Sequence, residues 1–160
     1  MVSFSSMSCR LVALMAAIAC SFCFSATPPA FSSSLLSGYA ALKQVASTAV
    51  PYEEAAAAEK PVLIEFYADW CSVCRSMAPT MSELHDRYAG DINFVMLDID
   101  DPQWAQQVRE FRVVGVPYFA FVSPPFQDET GERQVRQTLV GKHPKAVMAA
   151  ALDRLLNAQI

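Results

Sequence analysis

From residue 61 onward the apolar positions fall into two alternating patterns. Residues 62–67 (VLIEFY) form an apolar run broken by one acid, which predicts a strand buried on both faces. Cys74, Met77, Ala78, Met81, Leu84 and Tyr88 then recur at helical spacing, while Arg75, Ser82, Glu83, Asp86 and Arg87 occupy the other side. Residues 92–98 (INFVMLD) predict a second buried strand. Asp101-Pro102 reads as an N-cap followed by proline at the first position of a helix that reaches Phe111. Residues 118–122 and 134–140 predict two more strands, joined through a turn at Thr130-Gly131. Pro144 opens a last helix whose apolar face is Val147, Met148, Leu152, Leu155 and Leu156. The strand-helix-strand half requires parallel pairing through a crossover, and the last two strands lie close enough for an antiparallel hairpin. The pattern therefore predicts an α/β domain with a mixed central sheet and helices on both faces.

Upstream the pattern changes. Residues 11–24 (LVALMAAIACSFCF) carry no charge and follow the single cation Arg10. A helix of that length spans about 21 Å, short of a hydrocarbon core of about 30 Å. Residues 1–26 accordingly read as a signal peptide or a membrane anchor, and either one exports the rest of the chain. Residues 27–50 read as a Ser-, Pro- and Ala-rich linker and a short helix. That helix covers residues 35–50, with Leu36, Tyr39, Ala40, Val45 and Ala46 on one side. Residues 51–160 are the expected globular domain, opened by the helix formers of residues 52–59 with Glu53 and Glu54 in the first turn.

Composition narrows the function. The 160 residues are 53% hydrophobic and 18% charged, which excludes wholesale disorder. Twelve basic residues against sixteen acidic ones, a net charge of −4, give no electrostatic footprint for nucleic acid. Five cysteines are too few for a disulfide-stapled scaffold of this length. Cys9, Cys20 and Cys23 fall in the apolar leader, where a free Cys behaves as a small hydrophobe. Cys71 and Cys74 remain.

Those two stand in Glu65-Phe66-Tyr67-Ala68-Asp69-Trp70-Cys71-Ser72-Val73-Cys74-Arg75, where a buried strand ends and a helix starts. At that junction Cys71 occupies the helix N-cap, where unpaired N–H groups and the macrodipole favour a thiolate. One helical turn brings Cys74 within disulfide reach. Cys71 is expected to be the exposed attacking sulfur and Cys74, on the apolar stripe, the buried resolving one. Pro79 sits inside the helix pattern, costs about 3 kcal/mol there and frees the carbonyl of Arg75. Glu65 is an acid in an apolar strand six residues before Cys71. Buried beneath Cys74, it has a raised pKa and accepts the Cys74 proton through water; at a strand end it simply faces solvent. Val116-Pro117 directly precedes the third strand, where cis and trans bonds are both open on the residues alone. Trp70 reads as a partial lid over Cys71. His85 and His143 read as solvated surface, and Asp98, Asp100 and Asp101 as strand end and N-cap; no metal site is expected.

With these residues in place the chain resembles the thioredoxin superfamily over residues 61–158. WCxxC, the proline five residues after its second Cys, Val-Pro before a strand and Gly141 after the last strand all stand in register. The resemblance implies a thioredoxin fold with an extra N-terminal helical extension. It also implies a cis bond at Pro117, structural roles for Pro79 and Gly141, and substrate contact at Trp70, Val116 and Pro117. EFYADWCxxCR, NFVMLD and VGVPYFAF are most similar to the membrane-anchored thylakoid thioredoxin-like proteins of cyanobacteria and chloroplasts. That subgroup implies a location in the thylakoid lumen or on the periplasmic side. There a disulfide reductase passes electrons to apocytochromes or other protein thiols, fed by a transmembrane electron donor. No cofactor is expected beyond the redox-active Cys71-Cys74 pair.

Four departures from the family pattern matter. Ser72-Val73 replaces Gly-Pro, so thioredoxin's reduction potential does not carry over. Glu65 stands where ordinary thioredoxins have Asp. Met96 replaces a lysine that usually neighbours this acid, leaving Glu65 without a cation. Residues 123–129 (SPPFQDE) lengthen the hairpin loop. The competing readings are an oxidant or isomerase of the same fold, a Cu(I)-binding module with two thiolates, and a redox-idle interaction module using the Pro117 edge.

Overall fold

A computed structural model describes residues 30–127, 129 and 133–158. The expected leader with Cys9, Cys20 and Cys23, and the expected turn at Thr130-Gly131, lie outside the described residues. Residues Ser33–Ile160 make up one compact unit. Its elements are α1 (Ala30–Thr48), α2 (Tyr52–Ala57), β1 (Val62–Tyr67), α3 (Ser72–Tyr88), β2 (Asn93–Asp98), α4 (Ala105–Glu110), β3 (Tyr118–Gln127), β4 (Arg133–Val140) and α5 (Lys145–Asn157). A 3-10 turn, Pro102–Trp104, capped by the Asp101 side chain, leads into α4.

The sheet order is β2-β1-β3-β4. β1 runs parallel to β2, pairing Val62 with Asn93 and Glu65 with Met96. It runs antiparallel to β3, pairing Glu65 with Phe119. Side chains alternate between the two faces of a strand. Val62, Ile64 and Phe66 join the core under α2 and α4, with Tyr52, Phe111 and Tyr118. Leu63 joins the core under α3 and α5, with Met77, Met81, Leu84, Met148 and Leu152. Each such buried side chain contributes about 1.5–3 kcal/mol, which explains an apolar run on both sides of the same strand. Glu65 shares the parity of Leu63 and Tyr67 and so points to the α3 face.

All six stripe residues of α3 are buried, as its periodicity predicts. Elsewhere the faces shift. In α5 Met148, Ala151, Leu152 and Leu155 are buried, while Val147 is exposed and Leu156 half-buried. In α1 the helix starts at Ala30 rather than residue 35. Its inward side carries Gly38, Leu42 and Val45, with Ala41 and Ala46 half-buried, whereas Tyr39 and Ala40 are exposed. Of the expected stripe Val45 and Ala46 lie inward, Tyr39 and Ala40 do not, and the Leu36 side chain lies outside the described residues; the inward side turns about a glycine, which carries no apolar signal. Gly38 faces α3: a Cβ there would lie 3.1 Å from the Arg75 carbonyl oxygen and 3.4 Å from Arg75 Cβ. That carbonyl is the one Pro79 deprives of its helical N–H donor. Ten residues on, Thr48 Oγ1 lies 3.5 Å from His85 Nδ1, so the two helices run side by side in the same direction. His85 is half-buried, its ring 5.0 Å from that of Phe94, rather than free on the surface. Gly→Ala inside a helix ordinarily stabilises by about 1 kcal/mol. Gly38→Ala is expected to do the opposite, lowering stability by roughly 1 kcal/mol, because the new methyl meets α3 backbone that cannot rotate away. Denaturant midpoints measure the sign.

After α1 the Val50 N–H donates to the Phe94 carbonyl at 2.8 Å, fastening the chain to the outer strand β2. β3 continues past residue 122 through a cis Pro124-Pro125 bond, with irregular pairing to β4 beyond Val122. This extension puts Phe126 edge-on against Tyr52, ring centroids 5.7 Å apart. The lengthened hairpin thus closes the core beneath α2.

Candidate active site

The strand that buries Leu63 and Phe66 ends in a tight turn. The Ala68 carbonyl accepts the Cys71 N–H at 3.1 Å, making Asp69 and Trp70 the central residues. Cys71 is then the N-cap of α3, and its Sγ accepts the Cys74 N–H at 3.0 Å. Cys71 and Cys74 form a disulfide with Cα atoms 5.3 Å apart. The sulfur therefore stands where the open end of the helix offers N–H groups to a negative charge.

Cys71 was expected to be exposed, and here the structure corrects the sequence. It is 4% exposed and Cys74 0%. The bond to a fully buried sulfur draws Cys71 inward, and Leu42, Ala68 and Val116 pack in the same cluster. The order of access is the expected one, since Cys71 retains the only opening of the pair.

Trp70 is 63% exposed, and its Nε1–H donates to Asp100 Oδ2 at 2.8 Å. Arg75 Nη2 donates back to the Trp70 carbonyl at 3.4 Å. Val116-Pro117 is cis; Pro117 is buried and Val116 packs against the cysteine cluster. The Gly141 N–H donates to the Pro117 carbonyl at 2.8 Å, with φ +83° at Gly141, a conformation that favours glycine. Pro79 lies on the exposed side of an otherwise continuous α3. Asp98 accepts the Asp100 N–H and Asp101 caps the 3-10 turn. Among the described residues no three His, Cys, Asp or Glu side chains gather as metal ligands.

Glu65 is 2% exposed, and neither carboxylate oxygen has a hydrogen-bond partner. Burial pushes its pKa up to about 8. The strand register sets Met96 beside it, where a cation would oppose that shift. The carboxyl is therefore mostly protonated at neutral pH, on the sheet face that α3 covers. The alternative of a solvent-facing strand end does not describe this side chain.

Sequence reasoning missed a second group. Lys43 of α1 places Nζ 2.7 Å from Asp69 Oδ1, and Tyr39 Oη–H donates to Asp69 Oδ2 at 3.4 Å. The same ammonium lies 5.7 Å from the Tyr39 ring centroid and 5.9 Å from that of Tyr67. Its hydrogen bond to Asp69 raises the Lys43 pKa. No local pattern signals this contact, because the partners are far apart in the chain and both look like ordinary surface charges.

A dithiol at the start of a helix, fed by the middle strand of a mixed sheet and faced by a Val-Pro strand start, defines a thioredoxin fold. The thioredoxin family model matches residues 43–154, and the chain belongs to that family. Among known proteins it is similar to the chloroplastic thioredoxin-like protein HCF164 of Oryza sativa, 44% identical over 108 residues, 68% of this chain and 38% of that one. It is also similar to the thiol:disulfide interchange protein TxlA of Synechococcus elongatus, 39% identical over 123 residues, 77% of this chain and 61% of that one. The matched segment thus spans less than two thirds of each of these relatives. The germline-specific thioredoxin Deadhead of Drosophila melanogaster superposes with a TM-score of 0.52 at 21% identity, covering 64% of this chain and 87% of that one, which establishes the shared fold.

Proposed function

We propose that the protein is an exported thiol–disulfide oxidoreductase that works as a protein-disulfide reductase. The observation that carries this reading is the Cys71–Cys74 disulfide at the N-terminus of α3, on the same sheet face as a buried, unpartnered Glu65. In the reduced protein the Cys71 thiolate attacks a substrate disulfide. One S–S bond forms between Cys71 and the substrate, and the other substrate sulfur leaves as a thiolate. In the molecules whose Glu65 is ionised, a fraction that grows as pH approaches about 8, Cys74 gives its proton to that carboxylate through water and attacks Cys71 Sγ. The Cys71–Cys74 bond forms, and the second substrate sulfur leaves with its electron pair. The substrate gains two electrons and the protein is left oxidised, to be recharged by a dithiol donor. Trp70 immediately precedes Cys71, Val116 packs in the cysteine cluster, and with Pro117 they are the substrate contacts of this reading.

The leader and the relatives support an exported location. Residues 1–26 act as export signal or membrane anchor ahead of the compact unit that α1 belongs to. The names HCF164, chloroplastic, and TxlA support a thylakoid setting, with apocytochromes or other lumenal thiols as substrates and a transmembrane donor of electrons. Among the described residues no helix is long and apolar enough to cross a membrane.

The test is the reduction potential of Cys71/Cys74 in the full chain, held in detergent micelles and equilibrated in thiol redox buffers, together with insulin-disulfide turnover. A potential near or below about −230 mV is expected for the reductant. A value near about −120 mV reverses the direction and makes the protein a disulfide donor. Absence of turnover under any thiol supply removes the enzymatic reading and leaves a redox-idle binding module.

A further inference from the structure

The turn that presents Cys71 is tethered at both of its central residues. Trp70 is bonded to Asp100 on the loop after β2. Asp69 is held from α1, by Lys43 at 2.7 Å and by Tyr39 at 3.4 Å. The same helix inserts Leu42, 1% exposed, into the cluster that contains both cysteines. It also brings Gly38 against the backbone of Arg75, the residue after Cys74. Gly38, Tyr39 and Leu42 all precede residue 43, where the family match begins. These contacts therefore come from a helix that lies mostly outside the matched domain.

We infer that α1 is a positioning element for Cys71 and that Lys43, acting through Asp69, is its key residue. The inference rests on the thiol–disulfide exchange reading above. Two effects converge. The ion pair and the Tyr39 hydroxyl hold the Ala68–Cys71 turn, so the sulfur stays at the open end of α3. The ammonium also neutralises a carboxylate two residues from the attacking sulfur, and an uncompensated carboxylate at that place disfavours the thiolate.

The other charges around the turn do not substitute for Lys43. Arg75 on α3 directs its guanidinium to the Trp70 carbonyl. Asp98 and Asp100, on the β2 side, add negative charge, with Asp98 bonded to the Asp100 N–H and Asp100 to the Trp70 indole. From β1, Tyr67 has its pKa raised by burial, and Glu65 is held largely protonated by the same cause. β3 (YFAFVSPPFQ) carries no Asp, Glu, Lys, Arg or His; its Tyr118 hydroxyl donates to the Phe111 carbonyl, and Val116 just ahead of the strand packs in the cysteine cluster. Lys43 is thus the cation that offsets Asp69.

The experiment uses the reduced full chain in detergent micelles. Iodoacetamide is the probe: the thiolate displaces iodide and forms an S–C bond, and modification at Cys71 is followed by peptide mass spectrometry against pH. Lys43→Met is expected to raise the midpoint of the profile by about half a pH unit and to slow alkylation at neutral pH roughly threefold, the size expected for a nearby, partly solvated charge. Lys43→Arg should keep the parent profile. Lys43→Met combined with Asp69→Asn should return to it, because the charge that needed offsetting is gone. An unshifted Lys43→Met profile, or a double variant that stays with Lys43→Met, overturns the inference. Asp69→Asn alone gives an independent reading should Lys43→Met lose its native circular dichroism: its midpoint should fall below the parent's, and a rise counts against the proposal. Insulin turnover by the parent separates the two layers. Its absence removes the exchange reading itself, whereas turnover with an unshifted Lys43→Met profile removes only the role of α1.

Discussion

Replacing Cys74 by serine is expected to convert the protein into a trap for its substrates. Cys74 is fully buried in the oxidised pair, so an incoming disulfide meets Cys71 first. Attack by Cys71 needs nothing from Cys74 beyond its backbone N–H, which already points at Cys71 Sγ at 3.0 Å. Release of the substrate does need the second sulfur, because only an attack on Cys71 breaks the mixed disulfide from inside the protein. Cys74→Ser should therefore accumulate covalent adducts, visible on non-reducing gels and dissolved by dithiothreitol, while turnover falls to the rate without protein. Cys71→Ser should show the same loss of turnover with no adduct. The full chain also carries leader cysteines, so Cys71→Ser combined with Cys74→Ser is the control, and adducts should be absent from it. If Cys74→Ser yields no adduct from a lysate of oxidised exported proteins, Cys74 is not the resolving residue.

The second large effect belongs to Glu65, and it has two sides. In the folded chain burial holds the carboxyl proton up to about pH 8, whereas an unfolded chain releases it near the ordinary value of 4.5. Between these values the native state carries more protons than the unfolded one, so stability falls as pH rises. It is full below about pH 4.5 and reaches its floor above about pH 8, a loss on the order of 5 kcal/mol. Glu65→Gln keeps the shape and removes the titration. Its unfolding free energy should match the parent at pH 4 and exceed it by a few kcal/mol at pH 8.5. Denaturant titrations at the two pH values measure this directly, and equal curves at both would falsify the buried-acid assignment.

The same substitution should damage the chemistry. An amide cannot take the Cys74 proton, so resolution of the mixed disulfide should slow by roughly tenfold or more at neutral pH, where only a minority of the carboxyl is ionised and able to act as base. First attack by Cys71 should change far less. In the parent, resolution should speed up as pH passes through about 8, where the carboxyl becomes able to accept a proton. That step should vanish in Glu65→Gln. A variant that is more stable and less active is the signature of an acid retained for function at a cost to the fold. Rapid-mixing measurements that resolve the two steps decide between this and a structural role.

Much of this arrangement was legible without coordinates, wherever the physics is local. A strand buried on both faces reads as an unbroken apolar run, so the acid inside it stands out. A helix with one buried face reads at a spacing of three and four, and all six stripe residues of α3 obey it. The CxxC spacing, placed where the first pattern gives way to the second, points to a capped dithiol because helix ends leave N–H groups unpaired wherever they occur. The central sheet and the antiparallel hairpin follow from segment order and loop length.

Other features required the three-dimensional arrangement. The inward side of α1 is organised around Gly38, and a glycine announces a close approach only when the partner backbone is known. The weak alternation of SPPFQDE gave no hint that Phe126 would close the core against Tyr52. The near-complete burial of Cys71 reflects neighbours from α1, β1 and the segment before β3 that no single window contains. Lys43 and Asp69 each look like a solvated charge, and only docking of α1 beside the active-site turn makes them a pair. The sequence by itself therefore determined the elements, the dithiol and the presence of an acid in the strand that feeds it, because periodicity, capping and spacing are properties of adjacent residues. The tertiary structure decided how open the sulfur is, how strongly Glu65 holds its proton and which cation faces Asp69, because desolvation and ion pairing depend on everything within a few ångströms, whatever its distance along the chain.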